Sequence, residues 1–143
     1  MTDLRCLCIE VRSAAQTLTR LYDQALIPAG ITVTQLSQLN AIYQLSEPTV
    51  SQLSKAIGLD RSTLGRNIRL LESMQLLTSQ IGQDARTRTL RLTKKGMAAL
   101  KGAAPLWASV QSRLTQKLGT EKRELLLELM ADLAATDLRE INP

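Results

Sequence analysis

A chain of 143 residues carries 18 Lys and Arg against 13 Asp and Glu, with no His, no Phe, two Tyr, one Trp and two Cys. That length makes one domain of modest core, and no stretch approaches the roughly 18 apolar residues a membrane span needs. Without an imidazole, a Gly-rich phosphate loop or a Gly-x-Ser-x-Gly elbow, the chain is not expected to be an enzyme, nor to hold a cofactor or a metal. The opening Met-Thr-Asp-Leu-Arg-Cys has no basic segment followed by an apolar run, so no secretory leader is expected and the cytoplasm is the expected location. The aliphatic composition, rich in Leu and Ala, favours helices over a sandwich or barrel.

The first predicted helix runs from about Leu4 to Ile27, where Leu4, Cys8, Val11, Ala15, Leu18, Tyr22 and Ala25 alternate steps of four and three. Pro28 and Gly30 end it. Thr34 is expected to cap a second helix carrying Leu36, Leu39, Ile42 and Tyr43. Ser46-Glu47-Pro48 then leads to Thr49, whose spacing to Gln52 is a capping box. Val50, Leu53, Ala56 and Ile57 mark a third helix, Gly58 breaks it, and Asp60 opens a fourth with the stripe Leu64, Ile68 and Leu71. Two short strand-like runs follow, Leu76 to Ile81 and Thr89 to Thr93, around a turn-rich charged tip. Thr93 caps a long helix with Met97, Leu100, Ala104, Trp107, Gln111, Leu114 and Leu118, which Pro105 should kink. Gly119-Thr120-Glu121 resets the chain for a last helix, from Glu121 to about Arg139, with Leu125, Leu126, Leu129, Met130, Leu133 and Leu138.

Charge is concentrated in the middle of this array. Residues 49–96 hold 9 Lys/Arg against 3 Asp/Glu, a net +6, while the rest of the chain sums to −1. A segment holding more than the whole net charge of +5 implies a directed contact with phosphates. On the fourth helix, Ser62, Arg66, Arg69 and Ser73 point away from the apolar stripe, toward where a DNA major groove would lie. Arg66 is the best candidate for a bidentate contact to guanine. Ser62 and Thr63 would serve a base or a phosphate, and Arg61 and Arg69 the sugar-phosphate backbone. The alternative is a winged-helix protein-interaction module without specific DNA binding, whose recognition face would be neutral or apolar; this one is basic.

The winged helix-turn-helix, residues 34–93, can close a small core of its own. That leaves residues 1–30 and 94–143 as long helices whose apolar stripes need partners, so they are expected to interlock across a two-fold axis as dimerisation helices within a single domain of residues 1–143. Such a dimer places two recognition helices about one DNA turn apart and implies a pseudo-palindromic operator.

The segments Gly30-Ile31-Thr32-Val33-Thr34-Gln35, Leu53-Ser54-Lys55-Ala56-Ile57-Gly58-Leu59, Asp60-Arg61-Ser62-Thr63 with Leu71-Glu72, and Asp84-x-Arg86 leading into Leu92-Thr93-Lys94-Lys95-Gly96 occur in an order and spacing that resembles the MarR family of bacterial regulators. The likeness covers nearly the whole chain. It implies a mainly α winged helix-turn-helix protein, a homodimer that binds double-stranded DNA as a transcriptional repressor and is released by a small-molecule effector or an oxidant. By this likeness Asp84 holds the wing in shape and either Arg88 or Arg86 enters the minor groove, where narrow width concentrates negative potential. The family usually has Gly where this chain has Gln75, which would then adopt a left-handed conformation at a cost of roughly 1 kcal/mol.

An effector pocket, by the same likeness, would lie between the dimerisation helices and the winged module, near Tyr22, Tyr43 and Trp107, though the bland reading of Tyr22 and Trp107 is core. Cys6 and Cys8 are redox candidates. Two apart on a helix, they would sit on opposite faces, Cys8 as a small buried hydrophobe in the apolar stripe and Cys6 the more exposed.

Overall fold

Helical periodicity and caps translate into six α-helices and one hairpin in a computed structural model that describes residues 5–84, 86–137 and 139. Helix α1 spans Leu7–Leu26 and passes through a 3-10 turn, Ile27–Ala29, to α2 (Val33–Leu45), α3 (Val50–Ile57) and α4 (Arg61–Ser73). Strands β1 (Leu77–Ile81) and β2 (Arg88–Leu92) pair antiparallel, with Leu77 opposite Leu92 and Ile81 opposite Arg88. Then come α5 (Lys94–Leu118) and α6 (Thr120–Ala135). The expected positions Leu4 and Leu138 lie outside the described residues, as does Ala85. Among the described residues no helix is long and apolar enough to cross a membrane.

The chain forms two compact units, Met1–Trp107 and Ala108–Pro143. In the first, the core gathers Leu36, Leu39 and Ile42 of α2, Leu53 of α3, Leu64, Ile68 and Leu71 of α4, and Leu76, Leu77 and Leu90 of the wing. Leu26, Ile31 and Ala103 belong to the same cluster, so the winged module shares its core with the end of α1 and the first part of α5. Burying each such leucine contributes about 1.5–3 kcal/mol. Of the expected α1 stripe only Tyr22 is buried among the described residues, joined by Leu26 from outside it, and Cys8, Ala15 and Leu18 are exposed. On α3, Ala56 is exposed and Val50, Leu53 and Ile57 face inward. One residue departs from the pattern, since Gln38 of α2 is 2 % exposed and its amide nitrogen has no hydrogen-bond partner among the described residues.

The cap of α2 is Thr32, not Thr34. Thr32 Oγ1 accepts from the Gln35 N–H at 3.2 Å and Gln35 Oε1 accepts from the Thr32 N–H at 2.9 Å. Only Thr32 has a Gln three residues on; from Thr34 the same position holds Ser37, which cannot reach back. Asp23 of α1 adds a further cap by accepting the Val33 N–H at 2.7 Å. The Thr49 and Gln52 box forms as the spacing predicts.

Gly58 turns the chain between α3 and α4. Its φ of 68° lets its N–H reach the Ser54 carbonyl at 3.0 Å, while Ser54 Oγ donates to the Leu59 carbonyl. The exit from α4 is a Schellman motif, in which Leu76 N–H bonds the Leu71 carbonyl and Gln75 N–H that of Glu72, both at 2.9 Å. Gln75 takes the left-handed position expected of it, with φ 60°. Thr93 Oγ1 donates to the Gln75 carbonyl and accepts the Gly96 N–H, capping α5 as the sequence suggests and tying its start to this turn. Helix α5 runs unbroken through Pro105 to Leu118.

The second unit starts partway along α5. Gly119, with φ 82°, separates α5 from α6, and α6 ends at Ala135, short of the expected Arg139. Arg123 bonds Glu124 at 2.5 Å and Gln111 at 3.4 Å within this unit. No residue of α6 is buried: Leu125, Leu126, Leu127, Leu129, Met130 and Leu133 stand 36–54 % exposed on the single chain.

Candidate nucleic-acid interface

Helix α4 presents the face its periodicity predicts. Leu64, Ile68 and Leu71 are buried, while Ser62, Arg66, Arg69 and Ser73 lie on the opposite side and Thr63 is half-buried on its flank. Among the described residues, no hydrogen bond or ion pair engages the guanidiniums of Arg66 and Arg69. Arg61 differs: its Nη2 donates to Ser51 Oγ of α3 at 2.5 Å, so this cation is drawn across the helix-turn-helix.

The hydroxyls of Ser62 and Thr63 are already engaged. Asp60 is the N-cap of α4, and its carboxylate accepts the Ser62 hydroxyl and the Thr63 hydroxyl, each at 2.6 Å, with the Thr63 N–H at 3.0 Å. These bonds, the Ser62 hydroxyl first and then those of Thr63, hold the Asp60 carboxyl well below the usual carboxylate range despite its exposure. From sequence, Asp60 was legible as a helix start, but not as the acceptor of both hydroxyl protons.

In the wing, Asp84 Oδ1 accepts the Arg86 N–H at 3.1 Å, and the Asp84 carbonyl accepts the N–H and hydroxyl of Thr87, each at 2.9 Å. Gly82 N–H closes the tip on the Thr87 carbonyl at 2.7 Å. Among the described residues the Asp84 carboxylate thus shapes the turn through the Arg86 backbone N–H, an Asx-type device, with no ion pair to the Arg86 guanidinium. Arg86 and Arg88 are exposed at the tip and at the start of β2.

One feature escaped the sequence reading. Arg91 of β2 pairs with Glu47 in the turn after α2, where Ser46 and Glu47 are successive left-handed residues, φ 52° and 63°. No local pattern links two residues that far apart. A cavity of about 590 Å³ lies between α2 and α5, lined among others by Tyr43, Asn40, Met97, Lys101 and Trp107. On α2 its lining falls at positions 33, 36, 37, 40 and 43 and on α5 at 97, 100, 101, 104 and 107, the same helical spacing twice. Two of the three aromatic residues expected at a pocket are there. Tyr22 is not; it is buried near the end of α1, where it packs as core.

The thiols also depart from expectation. Cys6 precedes α1 as its N-cap, with extended φ −89° and ψ 118°, so the two cysteines do not both ride the helix and the opposite-face geometry does not apply. Both are exposed among the described residues, Cys8 included.

Comparison with known proteins agrees with this geometry. A MarR family model matches residues 29–86. The chain is similar to the transcriptional regulator MosR of M. tuberculosis, solved in complex with DNA, at 37 % identity over 92 % of this chain and 100 % of that one, with a TM-score of 0.77. It is similar to the transcriptional repressor CouR, bound to a 23-mer DNA duplex, at 26 % identity over 90 % of this chain and 92 % of that one, with a TM-score of 0.83. It shares its fold with a cysteine-to-serine mutant of E. coli MarR, complexed with operator DNA, at 24 % identity over 92 % and 99 % of the two chains, with a TM-score of 0.84. The chain belongs to the MarR family of winged helix-turn-helix transcriptional regulators.

Proposed function

We propose that this chain is a sequence-specific transcriptional repressor that binds a pseudo-palindromic DNA operator as a homodimer and lets go when a small molecule or an oxidant arrives. The observation that carries it is the α4 face, where Arg66 and Arg69 stand clear of the core beside a wing carrying Arg86 and Arg88, in a chain similar over 92 % of its length to a regulator solved on DNA. Within that reading, Arg66 reads a base, Ser62 and Thr63 contact DNA beside it, Arg61 and Arg69 serve the backbone, and Arg86 or Arg88 enters the minor groove over a wing held by Asp84. The alternative of a protein-interaction module fails on the basic character of that face.

The homodimer follows from apolar surface. Leu7 and Ile9 at the start of α1 are 72 % and 66 % exposed, and α6 buries none of its leucines. Surfaces of that kind mark an interface. We assign residues 1–30 and 94–143 to dimerisation and residues 34–93 to DNA binding.

The cavity between α2 and α5 supports an effector site. Tyr43 and Trp107 offer ring faces, Asn40 an amide and Lys101 a cation, a lining that suits a small planar ligand with an anionic group. Trp107 is the only tryptophan, so its emission reports occupancy directly.

The test of the whole reading is selection of duplex DNA from a random pool by the purified protein, followed by binding at several salt concentrations. A recovered two-fold-related motif and a steep fall of affinity with salt are expected. Equal binding of selected and scrambled duplexes would refute it.

A further inference from the structure

We propose that Asp60 sets what the N-terminal end of the recognition helix reads, by drawing the hydroxyl protons of Ser62 and Thr63 inward so that both side chains meet the major groove as hydrogen-bond acceptors. The inference rests on the DNA-binding reading above and adds its base chemistry at one end of α4.

A hydroxyl has one proton and two lone pairs. In Ser62 that proton goes to Asp60 Oδ2 at 2.6 Å, and in Thr63 to Asp60 Oδ1 at 2.6 Å, while Oδ2 also accepts the Thr63 N–H at 3.0 Å. Bonds to an ionised acceptor are the strong kind, so a neutral base edge does not win these protons back. What the two oxygens can still offer outward is lone pairs. Phosphate oxygens, guanine O6 and N7 and thymine O4 are acceptors as well, and none of them bonds to a lone pair. The donors that face the major groove are the amino groups of adenine N6 and cytosine N4.

Arg66 completes the contrast. It lies one turn beyond Ser62 on the same outward face and carries donors only, which suit guanine. The first two turns of α4 therefore present acceptors followed by donors, and the carboxylate at the cap decides the first half of that pattern. Asp60 acts here as a positioning residue. Its own side chain caps the helix, and its effect on DNA passes through the two hydroxyls.

The experiment measures affinity for a selected operator and for a panel with each base pair changed in turn, using wild type, Asp60→Asn, Ser62→Ala and Thr63→Val. Asparagine keeps a cap oxygen for the Thr63 N–H but sets an NH2 donor against the Thr63 hydroxyl, which must then accept and turn its proton outward. Wild type is expected to favour A or C over G or T by about fivefold at the bases these side chains face, the worth of one hydrogen bond. Ser62→Ala and Thr63→Val should each flatten that preference at one base pair. Asp60→Asn should invert it toward G or T at the Thr63 base while leaving the guanine preference of Arg66 in place. Base preferences in Asp60→Asn identical to wild type, or hydroxyl deletions that lower affinity equally for every duplex, would overturn the proposal while DNA reading itself stands. Wild type that does not separate operator from scrambled DNA would instead overturn the regulator reading.

Discussion

Arg91 and Glu47, 44 residues apart in sequence, meet through Nε to Oε1 at 2.6 Å with a second contact from Nη2, and they fasten the wing to the turn that leads into α3. The same seam carries a bond from the Leu90 N–H to the Pro48 carbonyl at 2.9 Å and a bridge between Thr49 and Thr89. The wing is thereby held against the helix-turn-helix by backbone as well as by charge. Both side chains are about half exposed, which limits the pair to roughly 0.2–1 kcal/mol. A double-mutant cycle with Arg91→Ala and Glu47→Ala in urea melts should return a coupling within that range, smaller at high salt. A coupling of zero would assign the seam to its backbone bonds alone.

Arg66 and Arg88 should fail differently. Arg66→Ala removes discrimination at one base pair, worth roughly 1–3 kcal/mol for a bidentate guanine contact. Arg88→Ala should weaken operator and scrambled DNA together and flatten the log–log salt slope by about 0.9 for a lost phosphate contact. An unchanged operator-to-scrambled ratio in Arg66→Ala would mean that α4 is turned differently in the groove.

Gly96 is required for space. A Cβ there would lie 1.9 Å from the Leu76 carbonyl oxygen, which already accepts the Thr93 N–H at 3.1 Å. The obstacle is backbone and cannot swing aside, so Gly96→Ala must lift the start of α5 from the turn between α4 and β1. A loss of about 1–3 kcal/mol is expected in thermal or urea unfolding, against near-neutral Gly102→Ala, where the new Cβ meets nothing within 4 Å.

The cap of α4 should make stability depend on acid. The Asp60 carboxyl titrates lower in the folded chain than in the unfolded one, because the hydroxyls of Ser62 and Thr63 and the Thr63 N–H favour its ionised form. A carboxylate shifted in that direction stabilises the fold fully above its ordinary range, and the contribution fades as pH falls below about 4 toward the folded value. The difference in melting temperature between wild type and Asp60→Ala should be level from about pH 8 to 5 and shrink below about pH 4. A difference that widened in acid would contradict this sign.

Exposed thiols at the cap and first turn of α1 make an oxidant response testable. Mild hydroperoxide should lower operator affinity of the wild type and spare Cys6→Ser, with the peroxide oxygens leaving as water and alcohol as a disulfide forms. Non-reducing gels would separate a bridge between subunits, which needs Cα atoms within about 7 Å across the dimer axis, from one within a chain. DNA binding indifferent to peroxide would leave both cysteines without a sensing role and turn attention to the cavity at Tyr43 and Trp107.

Short-range physics was readable in the chain itself. A capping box needs only a Thr and a Gln three apart, and a helical face needs only its repeat, so α3, α4, the Gly58 turn and the wing all stood in the sequence, while the left-handed Gln75 was expected only from the family resemblance. The cap of α2 was expected at Thr34 and falls at Thr32, because only Thr32 has a Gln three residues on to answer it. Tertiary structure decided the rest, because an apolar stripe states that a face is covered and not by what. The stripe of Met97, Leu100, Ala104 and Trp107 on α5 lines a cavity with α2, Cys8 at the front of α1 is exposed, and Arg91 finds Glu47. Even Gly96, plain in the sequence, has its reason in the carbonyl of Leu76, a neighbour that only folding brings near.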